Sequence, residues 1–196
     1  MHSLISLQAA VLLLPFGLLA AVLFADLLRR GHERRAVERG LFGEVVALRW
    51  QAAAVAAEIA RRHEACEPFD ERFFALWPLS EPLVYPGTGA AALGRLSREA
   101  VGRIGYFHAQ LAGARARFPD ARAAGEFVPT PYRVLSGLVR AYYDVDPWVR
   151  SLRPRLGAAV DEEPDITAAN DLLGRFEEAL EEPLAVAYCW VDCAYR

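Results

Sequence analysis

The chain has no lysine, one methionine and three cysteines, and these scarcities narrow the chemistry it can carry out. All 22 basic residues are arginine, which we interpret as the codon bias of a GC-rich genome because alanine and glycine are also frequent. Three cysteines are too few, and odd in number, for a disulfide framework, and they fit a reducing compartment. A net charge of −3 does not favour nucleic-acid binding, which depends on neutralising phosphates.

One long apolar run, Leu4–Leu28, dominates the first thirty residues, and only Gln8 and Asp26 are strongly polar within it. As a helix, about 25 residues extend roughly 37 Å, which exceeds the ~30 Å of a bilayer core. The run is longer than the apolar region of a signal peptide, no basic residue precedes it, and no clear cleavage site follows. We therefore predict an uncleaved transmembrane anchor over residues 1–30.

Arginine flanks this run on one side only, and the flank predicts its orientation. None precedes the run, while five follow it closely: Arg29, Arg30, Arg34, Arg35 and Arg39. The positive-inside rule therefore predicts a bacterial inner-membrane protein whose N-terminus is outside and whose basic juxtamembrane segment, 31–40, is cytoplasmic. Within the run, Gly17, Ala21 and Ala25 recur every fourth residue, a pattern of helix-packing faces that also arises by chance in an alanine-rich chain.

The pattern of residues 41–196 predicts a helical cytoplasmic domain. Its first helix contains a heptad seam. Its apolar positions, spaced alternately by four and three, are Leu41, Val45, Leu48, Ala52, Val55 and Ile59. Such a seam fits either a parallel coiled coil between two copies or an amphipathic helix packed on its own domain. Three heptads with additional apolar neighbours favour internal packing.

Further helices are predicted downstream of a loop over 78–96 that is rich in proline and glycine and therefore extended. Apolar periodicity predicts helices from Arg98 to Phe118, from Thr130–Pro131 to Asp146–Pro147, and from about Asp165 onward. A linker over 119–128 separates the first two. The predicted fold class is thus all-α, with one transmembrane helix followed by a bundle of four or five helices.

Charge is polarised along the predicted domain. Residues 68–155 have a net charge of +4, whereas the acidic C-terminal region, 156–196, has a net charge of −8. The opposite net charges of these two regions allow three interpretations: attraction between them within the fold, contact with a partner, or contact with the lipid surface.

A short segment resembles one found in small single-pass bacterial membrane proteins. It runs Pro82-Leu83-Val84-Tyr85, then Leu93-Gly94-x-Leu96, then a helix with Ile104 and Tyr106-Phe107. The resemblance covers roughly the first 118 residues and implies a transmembrane helix followed by an amphipathic helix. It implies no activity, cofactor or catalytic residue.

Candidate ligands for a metal are few. The pairs His63 with Cys66 and Cys189 with Cys193 can each share a helix face, but buried free cysteine is the commoner fate of such residues. No G-x-S-x-G or C-x-x-C-H motif occurs. We therefore predict no cofactor, no metal and no catalytic activity.

The function predicted from these features is a non-catalytic accessory or scaffold subunit of a larger membrane assembly. Its partners are the lipid bilayer and other membrane subunits. One alternative is a membrane-tethered adaptor or regulator that associates with itself through the heptad seam. A second alternative is a membrane-anchored enzyme or metal-binding protein.

Overall fold

The computed structural model describes residues 2–67, 79–123, 129–157 and 164–180, with side chains over 18–67, 79–117, 132–157 and 164–178. These residues form six helices and no strand, which confirms the all-α prediction. The helices are α1 (His2–Glu64), α2 (Val84–Gly87), α3 (Ala90–Leu93), α4 (Arg98–Ala123), α5 (Pro129–Leu156) and α6 (Thr167–Leu180).

Helix α1 is a single helix of 63 residues, about 95 Å long at the usual rise per residue. It joins the predicted anchor, the segment 31–40 and the seam helix without a break. Gly31 lies inside it, because leucine, alanine, arginine and glutamate on both sides are strong helix formers. Within the part of the chain that the structure describes, no helix is long and apolar enough to span a membrane. The side chains of residues 2–17, which include most of the predicted anchor, lie outside that part.

The heptad seam of α1 forms one wall of the core. All six seam residues are 4% exposed or less and belong to the same buried cluster as the apolar faces of α4, α5 and α6. Phe107 and Phe176 are the largest fully buried side chains of that cluster. The seam therefore packs within the chain.

Helix α5 runs antiparallel to both α1 and α4. Near its C-terminal end Trp148 packs against Phe42 of α1, with 6.2 Å between ring centroids. On its other side Arg103 of α4 donates to the Asp144 carbonyl oxygen at 3.0 Å. Gly137 allows the closest approach, since a β-carbon there would lie 3.4 Å from the Ala114 side chain.

Two proline-based predictions of helix ends are wrong. Helix α4 continues through Pro119 to Ala123, and α5 continues through Pro147 to Leu156. An internal proline costs about 3 kcal/mol, but burial of the following turns offsets that cost in α5. There Trp148, Val149 and Leu152 are buried. Helix α5 ends instead before Gly157, whose φ of +61° suits glycine.

The segment predicted as an extended loop contains the single-turn helices α2 and α3. Leu83 in this segment is 85% exposed, whereas Tyr85 and Leu93 are partly buried against the core. Ser97 caps the N-terminus of α4, since the Ala100 N–H donates to Ser97 Oγ at 3.1 Å. Residues 181–196, the last part of the helical region predicted from about Asp165 onward, lie outside the described residues.

Candidate functional site

The N-terminal part of α1 exposes an unusual number of large apolar side chains. Seven of them are at least half exposed, and we call residues 18–28 the apolar segment: Leu18, Leu19, Val22, Leu23, Phe24, Leu27 and Leu28. At about 100° of turn per residue, these positions surround the helix and leave no gap wider than about 80°. A helix that docks on one protein partner has a polar side. In this segment Asp26 is the one charged residue, and exposed apolar side chains lie on both sides of it around the helix.

Charged residues cluster directly after the apolar segment, and they pair along the helix with one another and with Asp26 inside the segment. Arg30 contacts Asp26 at 2.7 Å, and Arg29 contacts Glu33 at 3.5 Å. Glu33 also pairs with Arg95, which follows α3. The arginine flank is therefore tied to the bundle as well as to α1.

An arginine-lined cavity of about 380 Å³ lies where α1 meets the C-terminal end of α5; we call it the arginine cavity. Its lining residues are Arg35, Glu38, Arg39, Arg155 and Leu156. Glu38 is buried and accepts a hydrogen bond from Arg34 Nε at 2.9 Å. Its other carboxylate oxygen lies 3.8 Å from Arg155 Nη2. The buried carboxylate thus holds α1 and α5 together at the edge of the cavity.

Glu44 fastens the segment before α2 to α1. Its carboxylate accepts the backbone N–H groups of Leu83 at 2.5 Å, of Val84, and of Tyr85 at 2.9 Å. Gln51, about two turns further along α1, accepts the Ser80 N–H at its Oε1 at 3.0 Å. A carboxylate at three successive N–H groups satisfies donors that the short helix leaves open.

His108 of α4 lies against this carboxylate, with 3.6 Å between Nε2 and Glu44 Oε1. Its ring stacks on Tyr85 at 4.2 Å between centroids, and neither ring nitrogen has a hydrogen-bond partner among the described residues. Burial lowers the pKa of His108 below 6.5, although the nearby Glu44 carboxylate acts in the opposite direction. The imidazole is therefore neutral at pH 7.

A second buried polar contact joins α1 to α5. Arg49, 4% exposed, donates to Asp146 Oδ1 at 2.7 Å, and its guanidinium lies 4.0 Å over the Tyr142 ring. Asp146 also pairs with Arg150 at 2.6 Å. These contacts orient α5 on α1, because a buried charge is tolerated only beside its counter-charge.

The metal candidates do not form a group in the described residues. His63 is buried with its ring 5.7 Å from that of Phe176, while Cys66 is exposed just beyond α1. Cys189 and Cys193 lie outside the described residues. In the described ranges no three His, Cys, Asp or Glu residues are placed to hold a metal ion.

The predicted membrane packing stripe is described only in part. Ala21 and Ala25 are exposed on α1, and Gly17 lies outside the described side chains. Three of the five topology arginines pair with acids of α1, while Arg35 and Arg39 line the arginine cavity.

Sequence reasoning missed four polar positions that join the helices: Glu38 and Arg49, which are buried, and Glu44 and Asp146, which are partly buried. A local signal exists for two of them, because Glu44 and Arg49 directly adjoin seam positions of α1. No local signal identifies Asp146 as the partner of Arg49, or Arg155 as the partner of Glu38, since both pairings depend on how α5 returns along α1.

No protein-family model, curated protein or solved structure matches the chain at a significant level. The interpretation of the site therefore depends on its own geometry.

Proposed function

We propose that this protein is a non-catalytic accessory or scaffold subunit of a larger membrane assembly, anchored by the N-terminal part of α1 in the bacterial inner membrane. The observation that carries the proposal is the apolar segment, which is exposed on every side of the helix. Removing seven large apolar side chains from water contributes on the order of 10 kcal/mol. A lipid environment accounts for a helix with no polar side.

The arginine flank supports a cytoplasmic position for the bundle. Arg29 and Arg30 follow the apolar segment directly, and Arg34 is one turn further. Positively charged flanks remain on the cytoplasmic side during insertion. This orientation leaves the N-terminus outside.

The accessory role is supported by how α1 is used. Its seam is already covered by the chain's own α4, α5 and α6, so the bundle needs no second copy to bury its core. Self-association through the seam would have to displace these helices. What α1 offers to neighbouring subunits is its face within the bilayer, where Ala21 and Ala25 permit close helix approach.

Membrane retention tests the anchor. We expect wild-type protein to stay in the membrane fraction after alkaline carbonate washing, and the Leu19→Asp/Leu23→Asp variant to be largely released. Each carboxylate costs up to about 3 kcal/mol within a bilayer. The matched control, Leu83→Asp/Tyr106→Asp, alters two exposed apolar side chains of the bundle and should be retained. Equal release of both variants would contradict the anchor.

Cysteine labelling in intact cells tests the orientation. The exposed Cys66 makes wild-type protein its own control, because an impermeant thiol reagent should not reach it from outside. A Ser3→Cys variant should be labelled. Labelling of wild type, with none added by Ser3→Cys, would reverse the orientation.

Purification from the native membrane tests the accessory role. We expect full-length protein in mild detergent to carry a stoichiometric set of other membrane subunits, identified by mass spectrometry. Recovery as a defined homo-oligomer would favour the self-associating adaptor instead.

A further inference from the structure

We propose that the arginine cavity binds a phosphate group, supplied by the headgroup of an anionic phospholipid or by a free phosphate ion. The lipid source rests on the proposed membrane anchor, whereas the phosphate chemistry rests on the cavity alone. Three guanidinium groups and one carboxylate line a space of about 380 Å³, which lies within the usual size range of ligand sites.

Two of the three arginines that line the cavity, Arg35 and Arg39, have no acidic partner among the described residues. Arg29, Arg30 and Arg34 each pair with an acid of α1. By contrast, Arg35 and Arg39 form no salt bridge or hydrogen bond with any other residue that the structure describes. They stand four residues apart on one face of the helix, where like charges repel. A bound anion relieves that repulsion.

Glu38 does not neutralise these two arginines, because its carboxylate is engaged elsewhere. One oxygen accepts from Arg34, and the other faces Arg155. Arg155 also lies in the last turn of α5, where its charge offsets the partial negative charge of the helix end. The positive charge available to a ligand is therefore that of the α1 arginines.

Guanidinium groups suit phosphate because their planar N–H fork matches two of its oxygens. Leu156 adds an apolar contact beside them. The same arrangement accommodates the glycerol carbons next to a lipid phosphate.

The position along α1 favours a lipid headgroup. Arg35 is seven residues beyond Leu28, which places both on nearly the same side of the helix and about 10 Å apart along its axis. Side chains on a helix lean toward its N-terminus, so Arg35 leans toward the apolar segment. The headgroup layer extends roughly 5–8 Å beyond the hydrocarbon core. The arginine cavity thus lies within reach of lipid phosphates.

Native mass spectrometry of the full-length protein in neutral detergent tests the proposal. The protein is offered equal amounts of phosphatidylglycerol and phosphatidylcholine, and inorganic phosphate is titrated separately by calorimetry. The test variant is Arg35→Gln/Arg39→Gln. The control variant, Arg29→Gln/Arg30→Gln, removes the same charge nearer the apolar segment and leaves the cavity unchanged. All four arginines are exposed, and circular dichroism checks that both variants fold.

We expect wild type and control to retain phosphatidylglycerol over phosphatidylcholine roughly tenfold or more, and the test variant to lose most of this preference. Phosphate binding that is lost in the test variant alone, without lipid preference, would support the cavity with a free ion as ligand. Equal loss in both variants would attribute the effect to diffuse charge and overturn the proposal. Absence of both lipid preference and phosphate binding would also overturn it.

These outcomes separate this proposal from the anchor. A protein that stays in washed membranes but shows no phosphate selectivity refutes the cavity ligand alone. A protein released from membranes that still binds inorganic phosphate refutes the anchor alone.

Discussion

The two halves of α1 are built from similar apolar residues but meet different surroundings. In the apolar segment every large side chain is exposed, whereas the seam between Leu41 and Ile59 is almost fully buried. The buried half also contains Glu44 and Arg49, each paired with a different part of the chain. The hydrophobic effect drives the apolar side chains out of water. The polar residues of the buried half determine which part of the chain packs against each position of the helix. The apolar segment has no such specifying residue, and a bilayer does not require one.

A matched pair of substitutions on the same helix gives the largest expected difference. Val45→Asp places a carboxylate in the core at a fully buried position, which should cost more than about 4 kcal/mol and unfold the bundle. Leu23→Asp should change the bundle's free energy of unfolding by less than about 0.5 kcal/mol. Urea unfolding of full-length protein in mild detergent, followed by circular dichroism, measures both. A folded Val45→Asp protein of smaller hydrodynamic size would place the seam between copies instead.

The Arg49 contact should give the next largest effect. Asp146→Ala removes the carboxylate that faces a buried guanidinium, which should cost about 3 kcal/mol in the same unfolding measurement. The control is Glu177→Ala, whose partner Arg140 lies 3.4 Å away on the surface. Exposed pairs contribute less than about 1 kcal/mol. Equal effects of the two substitutions would show that the Arg49–Asp146 pair does not determine how α5 packs on α1.

Glu44 should contribute a smaller but local effect. Glu44→Ala leaves three backbone N–H groups without their acceptor, which should cost about 2 kcal/mol. Protease cleavage between residues 79 and 87 should accelerate. Gln51→Ala, which removes a single bond to the Ser80 N–H, should have a clearly weaker effect on both measurements.

Acid should destabilise the bundle through its buried histidines. His108 has a pKa below 6.5 in the folded chain because of burial, so the unfolded chain binds its proton more readily. Stability is therefore full above about pH 6.5 and falls as pH decreases through the folded pKa, by at most about 1.4 kcal/mol per pH unit. The fall between pH 7.5 and 5.5 should be smaller in His108→Gln, and unchanged in the exposed-site control His32→Gln. Burial also lowers the pKa of His63, so part of the fall should persist.

Gly31, between the two halves, should give the smallest effect. No atom lies within 4 Å of where its β-carbon would be, so Gly31→Ala should stabilise that turn by about 0.5–1 kcal/mol. Slower hydrogen exchange of the amides around residue 31 would show this. Gly31→Pro should instead accelerate exchange there while both halves remain intact. Loss of bundle stability in Gly31→Pro would mean that the halves fold as one unit.

The buried faces of the helices were predictable from the sequence. Burial on a helix repeats every 3.6 residues, so apolar spacing identifies seam residues and positions such as Ile104 and Leu138 without knowledge of their partners. The helix ends were less predictable. Pro119 and Pro147 locally favour termination, yet both helices continue, and after Pro147 the following turns bury apolar surface that offsets the local preference.

The candidate site was predictable only as separate residues. Arg35 and Arg39 stand out as a flank of the apolar run, yet the arginine cavity needs Arg155, which the antiparallel return of α5 brings alongside. In the sequence Glu44 resembles a surface charge. Its three hydrogen-bond partners are backbone N–H groups, and the identities of the residues that donate them give no sign of this contact. Long-range geometry therefore decides which charged residues form a site.

The unbroken course of α1 has a mechanical consequence. From Leu28 to Glu64 the helix extends about 54 Å, so a tilt of about 10° about Leu28 moves Glu64 through roughly 9 Å. A stiff rod of this kind converts small changes in bilayer thickness or neighbour packing into displacements as large as a helix diameter. With the anchor proposed above, the bundle packed along residues 41–59 would be displaced by any change in the tilt of the apolar segment.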